Sequence, residues 1–214
     1  MSNPPVSRFC VLVPVKAVAR AKSRLAPLGD ETRRALVEAF AVDTVTAALS
    51  SPLVDQVLVV TDDHRLAARL RDAGAHVVPD GVVDDLNGSL VQGAAEARRR
   101  WPNLALAALC ADLPSLRGTD LSHALTSAAE HDRCFVADRQ GVGTTMVTAL
   151  PGADLILRFG PGSREAHLAD GMHELTEVGV GTVRRDVDTP EDLGEALALG
   201  VGPCTTQVAI SRRL

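Results

Sequence analysis

Asp112 closes an apolar run, Leu104 to Ala111 (LALAALCA), and is followed at once by Leu113-Pro114. Eight residues is a strand length, and an unbroken apolar run is what a central parallel strand covered on both faces needs. Open α/β sheets bind ligands beyond the carboxyl ends of their strands, so a carboxylate there is placed to hold a divalent cation while a phosphorylated substrate supplies further oxygens. A turn aspartate capping the next helix is the other reading of Asp112. A second acidic motif, Asp186-Val187-Asp188-Thr189-Pro190, lies near the C-terminus. Strand alternation would put Asp186 and Asp188 on one face and Val187 on the other. Two carboxylates so placed repel unless a cation sits beside them. With Pro190 at the first helical position, Thr189 or Asp188 also reads as a helix cap, which leaves Asp186 unaccounted for by capping.

Lys16, Arg20, Lys22 and Arg24 fall within nine residues, directly after an apolar run, in a chain that is otherwise acidic. Lysine supplies a point charge and arginine a fork, a mixture suited to a triphosphate; an ordinary solvated basic loop is the alternative. Neither a Walker sequence nor a G-x-G-x-x-G fingerprint occurs, so side chains would do more of the phosphate binding than backbone amides. Two glycine-rich turns, Gly141-Val142-Gly143-Thr144-Thr145 and Arg158-Phe159-Gly160-Pro161-Gly162-Ser163-Arg164, can aim N–H groups and a hydroxyl at a carboxylate or phosphate. Asp84-Asp85-Leu86-Asn87-Gly88-Ser89 reads as a helix N-cap, with Asn87 also able to read a base edge. The six histidines have no sequence neighbours that suggest a triad and read as surface or packing residues.

The elements that must position these groups follow a β-α-β rhythm. Apolar, β-branched runs at 9–15, 57–61, 75–78, 104–111, 134–137, 144–150 and 173–178 read as strands. Helical spacing marks 31–49, 64–73, 89–100, 119–130 and a last helix at 190–199, while 183–188 is the extended lead into it and 141–170 is largely irregular. Repeated strand-helix units with right-handed crossovers imply a three-layer α/β fold with a mostly parallel sheet.

With 214 residues, 46% of them hydrophobic, the chain can bury one sizeable core, and no linker divides it. Lys and Arg, 22 in number, are outnumbered by 27 Asp and Glu, which argues against a nucleic-acid surface and means that an anionic ligand must be held by local clusters. No run reaches membrane-spanning length and no signal segment opens the chain, so a cytoplasmic protein is expected. Cys10, Cys110, Cys134 and Cys204 are widely spaced and read as reduced thiols. With no Tyr, one Trp and four Phe, a nucleobase cannot rely mainly on aromatic stacking.

PVKAVARAKSRLAP (14–27), DDLNGSL (84–90), CADLPSL (110–116), FVADRQGVGTT (135–145), RFGPGS (158–163) and DVDTPEDL (186–193) occur in collinear order. Together they resemble the phospholactate/phosphoenolpyruvate guanylyltransferase family of coenzyme F-420 biosynthesis, in particular its actinobacterial members. The resemblance implies a single guanylyltransferase domain over 1–214 with a Rossmann-like nucleotidyltransferase fold and a mostly parallel, mixed sheet. It implies Mg²⁺ dependence and transfer of GMP from GTP to phosphoenolpyruvate, giving enolpyruvyl-diphospho-guanosine and pyrophosphate. Acceptor alternatives are 2-phospho-L-lactate and 3-phosphoglycerate; the wider alternative is a cytidylyl- or sugar-nucleotide transferase of the same fold. By similarity Asp112 and Asp186, with Asp188 as an alternative, hold the metal, and Lys22 and Asp112 serve catalysis. Lys16, Lys22 and Arg24 match the GTP loop, while Thr144, Gly160 and Ser163 match positions that bind the acceptor carboxylate. A downstream transferase that takes up the product is the implied functional partner. The chain departs from the broader sugar-nucleotide transferases in lacking a Gly-rich start to its basic loop.

Overall fold

The computed structural model describes residues 7–16, 23–176 and 181–214. Strands β1 (Phe9–Pro14), β2 (Val54–Val60), β3 (His76–Val78), β4 (Ala105–Leu109), β5 (Arg133–Ala137), β6 (Thr144–Ala149) and β7 (His173–Glu174) form one seven-stranded sheet in the order β3-β2-β1-β4-β6-β5-β7. Pairing is parallel from β3 through β4 and between β5 and β7. β6 runs antiparallel to both of its neighbours. That reversal sets the start of β6 beside the end of β4, so Thr144 and Asp112 arrive at the same rim of the sheet from opposite chain directions.

Helices α1 (Asp30–Leu49), α2 (His64–Asp72), α3 (Leu86–Arg100), α4 (Gly118–Ala128), α5 (Ser163–Ala169), α6 (Pro190–Leu199) and α7 (Pro203–Arg212) surround the sheet. The central strands are apolar at every position because both faces are covered. Val11, Val13, Val57, Val59, Ala107 and Leu109 pack with α1, α2 and α4 on one face. Cys10, Leu12, Leu58, Val60, Leu106 and Ala108 pack with α3 on the other. A third cluster joins Leu25, Leu36, Phe40, Val187, Leu193 and Ala196, fastening a 3-10 helix (Ser23–Leu28) and the 186–188 segment to α1 and α6. Among the described residues no helix is long and apolar enough to cross a membrane.

The structure corrects three expectations. β4 ends at Leu109, so Asp112 stands three residues beyond the strand, not at its last position. Residues 183–188 form a turn and then the extended lead expected there; its alternation buries Val187 and keeps its two acidic neighbours half-exposed. β7 covers two residues of the longer run expected at 173–178, whose last two residues lie outside the described set. The helix at 190–199 is not the last, because α7 follows it. Its free N–H groups at Cys204 and Thr205 are taken by the buried Asp43 carboxylate of α1, at 3.0 and 2.8 Å. This cap comes from far along the chain, where local patterning does not show it.

Candidate active site

The acidic corner is built on backbone restraints. In α1 the buried Thr44 hydroxyl donates to the Ala111 carbonyl and accepts from the Leu113 N–H, gripping the chain on both sides of Asp112. The Asp112 carbonyl accepts from the Val187 N–H at 3.0 Å, which ties the two acidic segments together. Burying the Val187 side chain adds about 1.5–3 kcal/mol to that anchor and forces its neighbours outward. One carboxylate oxygen from each of Asp112, Asp186 and Asp188 lies within 4.8 Å of the others. Three half-buried carboxylates at that separation are a hard-oxygen donor set of the kind Mg²⁺ takes.

The capping alternative is decided by geometry. Thr189 caps α6: its Oγ1 accepts from the Asp192 N–H at 3.1 Å, and the Asp192 carboxylate accepts from the Thr189 N–H at 2.9 Å. Asp188 therefore turns its carboxylate to the acidic corner, where the exposed Arg24 guanidinium lies 3.7 Å away. An exposed pair of that length contributes little stability.

The basic loop is only partly described: Lys22 and Arg20 lie outside the described residues. Lys16 is a surprise of geometry. Its Nζ donates to Asp80 Oδ2 at 2.8 Å, the Val82 carbonyl at 2.9 Å and Ser89 Oγ at 2.5 Å, spending its three hydrogens inside the protein. Burial raises the Asp80 carboxyl, but bonds from Lys16, Ser89 and the Val82 N–H outweigh it and hold the group below the usual carboxylate range. Lys16 thus fastens the end of β1 to the loop before α3. Between them a cleft opens over the rim of the sheet, lined by Pro14, Lys16, Phe40, Leu90, Asp112 and Phe159. Cys10, behind it in the core, has its thiol pushed up to about 12 by burial, in keeping with an inert packing residue.

The two glycine-rich turns meet each other. Asp138 accepts from the Val142 and Gly143 N–H groups at 2.9 and 2.7 Å, shaping the β5–β6 turn that delivers Thr144. A Cβ at Gly143 would sit 2.4 Å from an Asp138 oxygen, so the tight clamp needs glycine. The Arg164 N–H bonds the Val142 carbonyl at 3.2 Å, joining the second turn to the first. Gly160 (φ 136) and Gly162 (φ 70) adopt backbone that suits glycine, and the buried Ser163 opens α5. Asn87 bonds Phe159 through both amide atoms, 3.0 Å each, so it braces this turn from α3 and any base edge would compete for the same atoms.

Sequence reasoning passed over Thr44, Asp80, Asp138 and His167. Thr44, Asp80 and His167 act on partners in other elements, and Asp138 acts within its own turn, where its place in FVADRQGVGTT is the available signal. His167 is fully buried, Nδ1 at 3.0 Å from Thr144 Oγ1 and Nε2 accepting from the Arg158 N–H at 3.1 Å. It is a bridging residue rather than a surface or simple packing one.

Comparison with known proteins places this geometry. A phosphoenolpyruvate guanylyltransferase of Thermomonospora curvata is 50% identical over 201 residues, covering 94% of this chain and 88% of that protein. A protein of the same name from Streptomyces coelicolor is 49% identical over 203 residues, with 94% and 96% covered. Among solved structures, a putative nucleotide-diphospho-sugar transferase from Desulfovibrio desulfuricans superposes with a TM-score of 0.68 at 17% identity, covering 87% of this chain and 85% of that one. A nucleotidyl transferase from Methanothermobacter gives 0.58 at 18%, with 90% and 99% covered. These two establish the Rossmann-like nucleotidyltransferase fold. The profile described as "Guanylyl transferase CofC like" matches residues 9–209, and the chain belongs to that family.

Proposed function

We propose that this protein transfers GMP from GTP to phosphoenolpyruvate, releasing pyrophosphate and enolpyruvyl-diphospho-guanosine for coenzyme F-420 biosynthesis. The observation that carries the reading is one cleft lined both by Asp112 of the carboxylate trio and by Phe159 of the glycine-serine turn that opens α5. The names of its relatives, at about half identity over nearly the whole chain, support the choice of substrates.

The acceptor phosphate is already ionised at neutral pH and attacks the α-phosphorus directly, so no general base is required. The task of the protein is to bring two polyanions into line. Asp112, Asp186 and Asp188 would hold Mg²⁺, which when bound neutralises phosphate charge. Thr144, Ser163 and the Gly160 backbone grip the acceptor carboxylate, and the cleft between β1 and α3 receives the nucleoside. Arg24 and Lys22 accompany the triphosphate. A downstream transferase that consumes the enolpyruvyl product would draw the reaction forward.

The test is incubation of purified protein with GTP, Mg²⁺ and, in turn, phosphoenolpyruvate, 2-phospho-L-lactate and 3-phosphoglycerate, with pyrophosphate release and product mass as readouts. Turnover with phosphoenolpyruvate ahead of the other two is expected. Turnover only with CTP in place of GTP, or only with a sugar phosphate, would overturn the proposal.

A further inference from the structure

The acceptor side contains a buried chain that neither the family resemblance nor the reaction requires: Arg158 N–H to His167 Nε2, and His167 Nδ1 to Thr144 Oγ1. Its proton positions follow from elementary bookkeeping. The backbone N–H of Arg158 can only donate, so Nε2 must present a lone pair. A neutral ring with a lone pair at Nε2 carries its proton at Nδ1. Nδ1 therefore donates to Thr144 Oγ1, and the threonine hydroxyl keeps its own proton for another acceptor.

The ring is also fixed in place. Phe135 stacks on it at 5.3 Å between centroids and Phe159 meets it edge-on at 6.1 Å. Burial holds the imidazole below its ordinary range, against the pull of the Ser163 carbonyl and Asp170. His167 and Ser163 lie one turn apart on α5, so the same short helix carries the serine and sets the threonine.

We propose that His167 is the positioning residue of the acceptor site: a neutral imidazole, locked as the Nδ1–H tautomer, that fills one lone pair of Thr144 Oγ1 and leaves the hydroxyl proton free to donate to the carboxylate of a small phosphoacid. The last clause rests on the function proposed above; the tautomer does not. The arrangement favours an acceptor whose contact atom is a pure hydrogen-bond acceptor, such as a carboxylate oxygen. The chain thus presents an oriented hydroxyl donor to an anionic substrate.

Two measurements test this separately. In ¹⁵N-histidine-labelled protein, with the His167 signals assigned by their loss in His167→Asn, the neutral-pH spectrum should show a protonated Nδ1 and an unprotonated Nε2. The Nε2–H tautomer, or an imidazolium at neutral pH, would overturn the proposal whatever the substrate. The second measurement is a double-mutant cycle on turnover with GTP and phosphoenolpyruvate. Thr144→Val and His167→Leu should each raise the acceptor KM about tenfold or more, with the GTP KM nearly unchanged. The pair should be no worse than Thr144→Val alone, because the histidine acts through the threonine. His167→Asn, which restores an N–H near the position of Nδ1, should recover much of the loss and remains available should the leucine variant not fold. Penalties that multiply in the pair, or equal damage by asparagine and leucine, would reduce His167 to a packing residue. Failure of the wild type to use any phosphoacid would instead sink the proposed function, leaving the tautomer result to stand by itself.

Discussion

The two sides of the cleft solve opposite electrostatic problems. The acidic corner gathers Asp112, Asp186 and Asp188 within 4.8 Å and leaves all three half-exposed. The acceptor side buries Thr144, Ser163 and His167 and links its polar groups in short neutral bonds. The difference reflects desolvation. A buried carboxylate without a counter-charge costs several kcal/mol, whereas a buried neutral group with a partner costs little. The three clustered carboxylates are kept where water or a cation can reach them, while Thr144 and His167 are neutral groups locked in place. Substitutions in the acidic corner should consequently change activity with little effect on stability, and those on the acceptor side should change both.

The sharpest attempt to break that contrast is Asp112→Ala. Losing a ligand that offsets phosphate charge should cost several kcal/mol at the transition state, roughly a thousandfold or more in turnover. Its thermal midpoint should stay within a few degrees of wild type; a large fall would mean that Asp112 is structural. Next in size is Ser163→Ala. One lost hydrogen bond to a charged group predicts an acceptor KM raised roughly ten- to a hundredfold, with GTP affinity, measured independently, nearly unchanged. Equal damage to both substrates would show that the two sides of the cleft are not separate.

Thr189→Ala and Asp186→Asn, two neighbours in one motif, should part company. The first removes the cap of α6 and should cost about 1 kcal/mol of stability while sparing turnover. The second should do the reverse, and a swapped ordering would return the motif to a purely structural role. The smallest effect concerns pH. His167, faced by Arg158 and Asp170, has its imidazole pKa held down in the fold by burial while an unfolded histidine titrates near its usual value of about 6.5. Its contribution is therefore intact above about pH 6.5 and is lost as pH falls toward the folded pKa. Denaturant unfolding from neutral to mildly acidic pH should show wild type losing stability faster than His167→Asn, the excess slope staying below about 1.4 kcal/mol per pH unit for one proton. Parallel curves would mean that the ring titrates alike in the folded and unfolded chain.

The same contrast explains what was legible in the sequence. Asp112 announces itself because a charge interrupts eight uncharged residues, and Asp186 and Asp188 because their spacing exceeds what capping explains. Most strands and helices declare themselves through period and punctuation and imply a mostly parallel sheet; nothing in that pattern marks β6 as antiparallel, and a mixed sheet is expected only from the family resemblance. Long-range bonds leave no such mark. Thr44 looks like any helical threonine until it grips Ala111 and Leu113, and Asp43 looks solvent-facing until it caps α7. Lys16 reads as a phosphate ligand because its partners Asp80 and Ser89 are remote in sequence. The extended lead at 183–188 is legible too, but what holds it, the burial of Val187 and the bond from its N–H to the Asp112 carbonyl, is not.

That bond also sets a timetable. The Val187 amide reaches the Asp112 carbonyl only after the chain has returned across β5, β6 and α5, so the acidic corner is among the last parts of the molecule that a growing polypeptide can close. The β5–β6 hairpin, made of contacts between near neighbours in sequence, can close much earlier. Hydrogen exchange at one amide, that of Val187, would follow the opening of this corner apart from the unfolding of the sheet behind it. A chain stalled on the ribosome before residue 187 emerges would lack the bond that closes the acidic corner.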